Sequence, residues 1–209
     1  MQAALFGASL VHWLSEDTAL TLIDPSNLPP LVSERLSLRR PAHADVDAIS
    51  VLANNWEIAK WMSRLPFPYR RQDAVFFLEE IVPKEATWAI QAIGDAGIIG
   101  VVGLVPHEMA GTVELGYWLG EPYWHRGFAS EAAQAVLDYA FGTLGLSEVT
   151  SGCFVGNARS ARVLEKLGFR TLRTSTRACM AQAKELPHLD MVLARKVWDA
   201  KVRSISPAT

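Results

Sequence analysis

A glycine-centred turn joins a strand-like segment to a helix-like one in the second half of the chain. The letters ELGYWLG alternate as a strand, WHRGFA turns around Gly127, and an alanine-rich helical pattern follows. A glycine lets the backbone approach a ligand closely, and the amides of residues 125–130 would converge on an anion at the positive end of the helix. His125 and Arg126 add side-chain donors. The pattern predicts a binding site for a phosphate-type anion. A tight turn that binds no ligand is equally compatible with this sequence.

A second helix start, NARSARVLEKLGF, follows one strand later and carries Asn157 and Ser160. Asn157 is a favourable N-cap, and Gly168 is a typical C-terminal stop. From the residues alone, Asn157 is a cap and Ser160 is a serine on the helix surface. Gly116, in the middle of ELGYWLG, indicates either a β-bulge or the close approach of another backbone or a ligand.

The elements that would position these residues alternate between strand and helix patterns. In TVELGYWLG, one face would carry Val113, Leu115, Tyr117 and Leu119, and the other Glu114, Gly116 and Trp118. Further strands are predicted for RLSLRR, TWAIQAI, IIGVVGLVP and VTSGCFV, and a closing strand pair for RTLRTSTRACM and HLDMVLARKVW with AQAKELP as its polar connection. Helices are predicted for PAHADVDAISVLANN and RRQDAVFFLEEIV. This order indicates a mixed α/β class.

The 209-residue chain has an ordinary globular composition, with 50% hydrophobic and 20% charged residues. Its net charge of -2 and pI of about 6.2 offer no basic surface for nucleic acid. Two cysteines without metal-ligand spacing favour a reducing, cytoplasmic setting. The histidines are scattered, so no metal site is expected. The apolar start lacks the early basic charge of a signal peptide and the length of a membrane span.

The proline-rich segment PSNLPPL predicts a boundary near residue 30. We therefore divide the chain into an N-terminal extension or arm (residues 1–30), a main domain (31–200) and a C-terminal tail (201–209). The strand-like ALTLID of the extension could cover a sheet edge, contribute to a homodimer contact, or belong to a loosely attached arm. Trp56 and Trp61 could line a substrate cleft, but their spacing favours core packing.

Residues 35–198 resemble the GNAT superfamily of acyl-CoA-dependent N-acetyltransferases. The combination of ELGYWLGEPYWHRGFASEA with NARSARVLEKLGF is similar to the Rim-type branch, which includes ribosomal-protein N-terminal acetyltransferases and many relatives that act on small amines. The resemblance implies the GNAT fold, a central mixed, mostly antiparallel sheet flanked by helices. It further implies that the strands TVELGYWLG and VTSGCFV splay apart to hold acetyl-CoA, the cosubstrate, and that a primary amine accepts the acetyl group.

The same resemblance assigns roles around the cofactor. The loop would bind the pyrophosphate of coenzyme A through backbone amides, with Gly127 and Ala129 at the small positions of the family pattern Arg/Gln-x-x-Gly-x-Gly/Ala and Trp124 in place of its polar first residue. Asn157 would bond the pantetheine region, and Ser160 would face the thioester sulfur. The cofactor-binding residues so implied are Leu115, Gly116, Tyr117, Trp118, His125, Arg126, Gly127, Phe128, Ala129, Ser130 and Asn157.

Glu114 is the predicted general base, because a protonated amine must lose a proton before it attacks the acetyl carbonyl and related Rim-type enzymes carry a glutamate here. It could act directly or through water, and a solvent-facing strand carboxylate is the alternative. A backbone amide of the same strand would stabilise the oxyanion, and Ser160 would donate to the leaving thiolate. An acetyl-cysteine intermediate on Cys153 is disfavoured, because that cysteine lies in an apolar strand.

The acceptor amine is predicted to be either a protein N-terminus or a small molecule such as an amino acid, polyamine or aminoglycoside. The segments expected to border its site, NNWEIAKWMSRLPFPYRR and TSTRACMAQAKELPHLD, carry more bases than acids, which argues against a polycation. A catalytically silent acyl-CoA-binding module is the alternative function. Such a module would retain Gly127 and Asn157 but would not need Glu114.

Overall fold

The computed structural model describes residues 23–106 and 112–205, whose strands form an eight-stranded sheet. The strands are β1 (Leu31–Val32), β2 (Leu36–Arg39), β3 (Ala86–Ala92), β4 (Ile98–Pro106), β5 (Val113–Leu119), β6 (Glu148–Phe154), β7 (Arg170–Cys179) and β8 (Lys184–Ala194). Their spatial order is β1-β2-β3-β4-β5-β6-β8-β7, and only the β5–β6 pair is parallel. The predicted mixed, mostly antiparallel sheet is confirmed.

Six α-helices accompany the sheet within the described ranges. They are α1 (Val46–Ala53), α2 (Trp56–Ala59), α3 (Arg71–Phe76), α4 (Phe128–Asp138), α5 (Ala158–Leu167) and α6 (Arg195–Ile205). Helices α3 and α4 continue as π-helical turns, Phe77–Ile81 and Tyr139–Thr143. None of these helices combines the length and the apolar character that a bilayer crossing requires.

The alternation of β5 places its two faces in two different hydrophobic cores. Val113, Leu115 and Leu119 pack in the larger core with the buried alanine stripe of α4. Trp118 points to the other face, where it packs against the core built from α1 and α3. The predicted division of β5 into two faces is confirmed, because successive side chains of a strand point to opposite sides.

Strands β5 and β6 separate almost as soon as they meet. Their ladder contains a single pair, Glu114 with Thr150. The hydroxyl of Thr150 donates to the Val113 carbonyl at 2.9 Å, and the hydroxyl of Ser151 donates to the Leu115 carbonyl at 2.8 Å. Beyond Leu115, the edge of β5 that faces β6 has no ladder partner in the described chain. The predicted splay of the central strands is therefore confirmed.

Several local predictions are wrong. Strand β8 ends at Ala194 and α6 runs from Arg195 to Ile205, so residues 195–198 are helix rather than strand. The division into main domain and C-terminal tail at residue 200 stays a prediction. Strand β8 also begins at Lys184, inside the predicted connection AQAKELP. The β4–β5 register runs without a shift past Gly116, which excludes a bulge at this glycine and leaves the close approach of a ligand as the remaining prediction. Trp56 is 42% exposed, and neither it nor Trp61 belongs to a core cluster.

The predicted boundary near residue 30 lies close to the first strand. Pro25–Asn27 forms a single 3-10 turn, and Trp88 Nε1 donates to the Pro29 carbonyl at 2.9 Å. Leu28 and Leu31 pack against the larger core. The strand expected for ALTLID falls largely in residues 1–22, outside the described residues, so the division into extension and main domain stays a prediction.

Candidate active site

The glycine turn before α4 has the geometry of an anion cradle. Gly127 is the N-cap of α4 with φ of 80°, and His125 also has a left-handed φ of 60°. The first intrahelical bond runs from Glu131 N to the Gly127 carbonyl at 3.1 Å. The amides of Phe128, Ala129 and Ser130 therefore have no intrahelical acceptor, and they lie at the positive end of the helix dipole. A pyrophosphate fits this donor set.

Arg35, at the entrance to β2, braces this turn. Its Nη1 donates to the Arg126 carbonyl at 3.1 Å, and its Nη2 lies 2.6 Å from the carboxylate of Glu131 in the first turn of α4. The guanidinium also stacks over the Phe128 ring at 4.9 Å. Although burial opposes the effect, hydrogen bonds from Ser33 and Arg35 lower the pKa of Glu131. These contacts link the turn to the residue that precedes β2.

Trp124, which replaces the polar residue of the family pattern, has a structural role at the start of the same turn. Its Nε1 donates to the Leu119 carbonyl at 2.8 Å, and its ring packs against the larger core. The Arg159 guanidinium, from the first turn of α5, lies 4.5 Å from the centre of the Trp124 ring. The stacking brings a cation next to the turn from a second helix.

Asn157, Ser160 and Tyr117 meet beside the slot between β5 and β6. The Asn157 side chain accepts from Ser160 N at 3.3 Å, as an N-cap does, which leaves its amide nitrogen for other partners. The hydroxyls of Tyr117 and Ser160 are 3.0 Å apart. Burial raises the pKa of Tyr117 well above its usual range, so the phenol stays protonated at neutral pH. Two of the predicted cofactor-side residues are thus in direct contact with Ser160.

Cys153 points to the helix side of β6 and is 5% exposed. Burial raises the pKa of its thiol, so the thiolate that a covalent mechanism requires is disfavoured. Tyr139, in the π-helical turn after α4, packs edge-on against Trp88 at 5.7 Å. Both residues are accounted for by packing.

Glu114 lies on the opposite face of β5, where it forms an ion pair that sequence reasoning did not predict. Arg177 Nη1, from the edge strand β7, lies 2.5 Å from Glu114 Oε1. The Glu114 side chain is 23% exposed, and that of Arg177 is 32% exposed. Glu114 is therefore a partly buried, oriented carboxylate at the point where β5 and β6 diverge.

A compact polar group surrounds this ion pair on β7 and β8. Asp190 accepts from Arg173 Nε at 2.9 Å and from Ser175 Oγ at 2.9 Å, and it contacts His188 Nδ1 at 2.9 Å. Arg177 Nη2 is 4.0 Å from Asp190. Burial alone would raise the pKa of Asp190, but the hydrogen bonds from Arg173, His188 and Ser175 lower it to about 2. Asp190 is thus a permanent anion at neutral pH.

The tip of the β7–β8 hairpin closes one side of this polar face. Met180 N donates to the Ser63 carbonyl at 3.1 Å, and Gln182 Nε2 donates to the Lys60 carbonyl at 2.9 Å. At the end of β6, the Trp61 ring lies 3.4 Å from where a Cβ on Gly156 would be. Residues 60–63 and the hairpin tip therefore pack together beside the polar face, and the cleft role considered for Trp61 stays a prediction.

The structure brings the sequence-predicted residues together in two groups. The cofactor-side group comprises the Gly127 turn, Tyr117, Asn157 and Ser160, and Gly116 opens onto empty space, because nothing lies within 4 Å of a Cβ placed there. Glu114 stands apart, on the opposite face of β5 with Trp118. Sequence reasoning missed the brace residue Arg35 and the polar partners Arg177, His188 and Asp190, because these contacts join elements remote in the chain.

Comparisons with known proteins identify the family and the fold. Residues 35–170 match the family model described as Acetyltransferase (GNAT) domain. The chain is 30% identical over 145 residues to the Uncharacterized N-acetyltransferase p20 of Bacillus licheniformis, an alignment that covers 67% of this chain and 82% of p20.

Two solved structures share the fold. The ribosomal-protein-S5-alanine acetyltransferase from Vibrio fischeri has a TM-score of 0.69 at 18% identity, covering 82% of this chain and 99% of the other. The microcin C7 self immunity acetyltransferase MccE, in complex with acetyl-CoA and AMP, has a TM-score of 0.67 at 21% identity, covering 78% and 93%. Since the family model spans most of the chain, this protein belongs to the GNAT family and is an acetyl-CoA-dependent N-acetyltransferase.

Proposed function

We propose that the protein transfers an acetyl group from acetyl-CoA directly to a primary amine, with both substrates bound together. The observation that carries this proposal is the divergence of β5 and β6 beside two distinct groups of side chains. The anion cradle and the Tyr117–Ser160 pair lie on the cofactor side, and Glu114 lies on the opposite face of β5. A base and a proton donor on opposite sides of one slot suit attack by an amine and departure of a thiolate.

On the cofactor side, the amides of Phe128, Ala129 and Ser130 would hold the pyrophosphate, with His125 and Arg126 as nearby donors. The open edge of residues 115–118 would accept the pantetheine arm through its backbone, because this edge has no ladder partner. The Asn157 amide nitrogen is available to the same arm. Acetyl-CoA supplies the activated acetyl thioester.

At the reacting centre, the acceptor amine must arrive as, or become, a free base. Glu114 would take a proton from it, directly or through one water, while Arg177 fixes the carboxylate orientation. A backbone amide on the open edge of β5 would stabilise the oxyanion. Ser160 would then donate to the departing thiolate. Because protonated Tyr117 can donate to the Ser160 oxygen, the Ser160 proton can point towards the sulfur.

The acceptor amine is proposed to be a peptide N-terminus, with a small amine as the second candidate. The polar face presents paired charges, Arg64 with Glu85, Arg177 with Glu114 and Arg173 with Asp190, rather than the excess of carboxylates that a polycation would require. A neutral, hydrogen-bonding cleft suits an α-amino group next to an amide backbone. The alanine of ribosomal protein S5, which the name of the Vibrio fischeri structural neighbour gives as its substrate, supports the same choice.

The test is release of coenzyme A thiol from acetyl-CoA across a panel of peptides with different N-termini, amino acids, polyamines and aminoglycosides. Thiol release that depends on the peptides would support the proposed acceptor. Release that depends only on a small amine would replace it with the second candidate. Acetyl-CoA binding without thiol release on any amine of the panel would contradict both proposed acceptors. A homodimer and a cytoplasmic location stay predictions.

A further inference from the structure

His188 is the titratable group at the polar face for which the proposed reaction has no use. It is 3% exposed, and it lies beside Phe154 in the β6–β8 ladder and beside Ser175 in the β7–β8 ladder. The Phe154 ring packs edge-on against the imidazole at 5.5 Å. Buried histidines usually serve packing alone, so a functional role requires that a ring nitrogen be oriented and available.

One ring nitrogen is fixed by Asp190. His188 Nδ1 lies 2.9 Å from Asp190 Oδ1, and Asp190 is an anion at neutral pH. An anionic carboxylate can only accept, so Nδ1 carries the ring proton and Nε2 carries the free lone pair. Among the described residues, no hydrogen-bond partner contacts Nε2. This is the arrangement that orients an imidazole as a base.

The Cε1–Nε2 edge of the ring lies over Gly152 of the neighbouring strand β6. A Cβ placed on Gly152 would lie 2.3 Å from His188 Cε1 and 3.0 Å from Nε2, so the ring occupies the space above this glycine. Gly152 lies two residues beyond Thr150, the ladder partner of Glu114. Because β6 lies between β8 and β5, the imidazole extends from its own strand towards the place where β5 and β6 part.

The charged residues around His188 are compatible with an uncharged imidazole. The charged groups that face it are Asp190 on its own strand, Arg173 and Arg177 on β7, and Glu114 on β5. Each carboxylate has an arginine partner. Burial lowers the pKa of His188 below 6.5, although contact with Asp190 opposes the shift. The imidazole is therefore uncharged at neutral pH.

We propose that His188 is a second proton acceptor of the acetyl-transfer site and that Asp190 is its positioning residue. The inference rests on the proposed function. An ammonium group that becomes an acetamide loses two protons as the C–N bond forms and the C–S bond breaks. Glu114 takes one of these protons, and His188 Nε2 takes the other, directly or through one water. The departing thiolate gains one proton through Ser160, and the surplus proton passes to solvent.

The decisive variant is His188→Asn, because an asparagine amide can still donate to Asp190 but has no counterpart of Nε2. Turnover would be measured from pH 5 to 9 with one fixed amine, so that ionisation of the amine is common to all variants. We expect kcat to fall on the order of 10²-fold in this variant. In the wild type, protonation of His188 should lower kcat below pH 6.5, and this acid limb of the pH profile should be absent from the variant. The same limb should survive in Glu114→Gln. His43→Asn, an exposed histidine near Glu79, is the matched control and should retain wild-type kcat.

Two measurements separate this inference from the proposed function. If the wild-type protein acetylates no amine, the proposed function fails and this inference fails with it. If the wild type is active and His188→Asn keeps both kcat and the acid limb, this inference alone is overturned. Should the variant not fold, judged by circular dichroism, NMR of the wild-type imidazole decides. A neutral ring protonated at Nδ1 at pH 7 supports the proposal, and a doubly protonated ring, or one protonated at Nε2, overturns it.

Discussion

Arg177 Nη1 lies 2.5 Å from Oε1 of Glu114, so the carboxylate proposed as general base is held by a residue of the edge strand β7. The two residues are 63 positions apart in the chain. Strands β6 and β8 lie between theirs, so the arginine reaches over two strands. The base is thus positioned by the same hairpin that walls the proposed amine site.

Removal of the Arg177 side chain tests this coupling. In Arg177→Leu, Glu114 loses its orienting partner, and we expect kcat to fall about tenfold, which corresponds to about 1.4 kcal/mol in the activation barrier. Arg170→Leu, an exposed arginine at the start of the same strand, is the control and should retain kcat. Steady-state kinetics with a fixed amine gives the comparison. Equal effects of the two variants would argue against a role for the ion pair.

Glu114→Gln separates chemistry from cofactor binding. The glutamine keeps the shape of the side chain but cannot take a proton, so kcat should fall by about 10²-fold or more. Acetyl-CoA affinity, measured by calorimetry, should stay within about twofold, because Glu114 lies on the face of β5 away from the Tyr117–Ser160 pair. Glu80→Gln, an exposed glutamate paired with Lys84, is the control. Loss of acetyl-CoA binding together with turnover would contradict the assignment of Glu114 as a base.

The Tyr117–Ser160 contact should contribute less than the base. A thiol with a pKa of about 8.5 gives a thiolate that is an adequate leaving group without a proton donor. We therefore expect Ser160→Ala to lower kcat only about three- to tenfold. Tyr117→Phe removes the hydroxyl that lies 3.0 Å from Ser160 and should act in the same direction. Because both substitutions remove the same contact, kcat of the double variant should be no lower than kcat of the more damaging single variant. Fully additive losses would show that the two hydroxyls act separately.

Gly127→Ala tests the anion cradle. At a φ of 80°, an alanine is strained by about 1–2 kcal/mol, and its Cβ would lie 3.4 Å from Arg35 Nη2. We expect acetyl-CoA affinity to fall at least tenfold as the turn relaxes away from its present conformation. Gly142→Ala is the control, since nothing lies within 4 Å of a Cβ there. Similar affinity in both variants would count against binding at this turn.

Acid unfolding should reveal the bonds to Asp190. Its folded-state pKa is depressed from 3.8 to about 2, so the stabilisation is fully present above pH 3.8 and is lost as the pH falls towards about 2. The shift corresponds to about 2 kcal/mol in the free energy of unfolding. Urea unfolding at pH 5 and pH 2.5 would measure it. Asp190→Asn should show a smaller loss over the same interval, and an unchanged loss would contradict the assignment.

The sequence alone predicts most elements of the fold, because hydrophobic periodicity is a local property. The alternation in TVELGYWLG and the alanine stripe of α4 correspond to the observed β5 and α4. The end of β8 is less predictable, because LARKVW continues an apolar pattern while the backbone changes from strand to helix at Arg195. The local sequence contains no signal for this change from strand to helix.

The candidate site is less predictable, because its contacts depend on strand register. The mid-strand glycine Gly116 has open space beside it, which leaves the predicted approach of a ligand open, whereas the His188 ring occupies the space beside the mid-strand glycine Gly152. A mid-strand glycine in VTSGCFV carried the same signal. The β6–β8 pairing determines which of the two glycines is crowded. That pairing joins residues 34 or more positions apart, such as Gly152 and Asp190, which are 38 positions apart.

The docking of the β7–β8 hairpin tip on residues 60–63 has a consequence for how this enzyme can diversify. The cofactor-side residues lie in one continuous stretch, from β5 to α5. The wall of the proposed amine site comes instead from residues 60–63, which follow α2, and from the hairpin. Under the proposed function, substitutions in the hairpin can therefore change which amine is accepted without changing the cofactor-side residues. A library of variants confined to residues 60–63 and 180–186 would test new amines while acetyl-CoA binding is preserved.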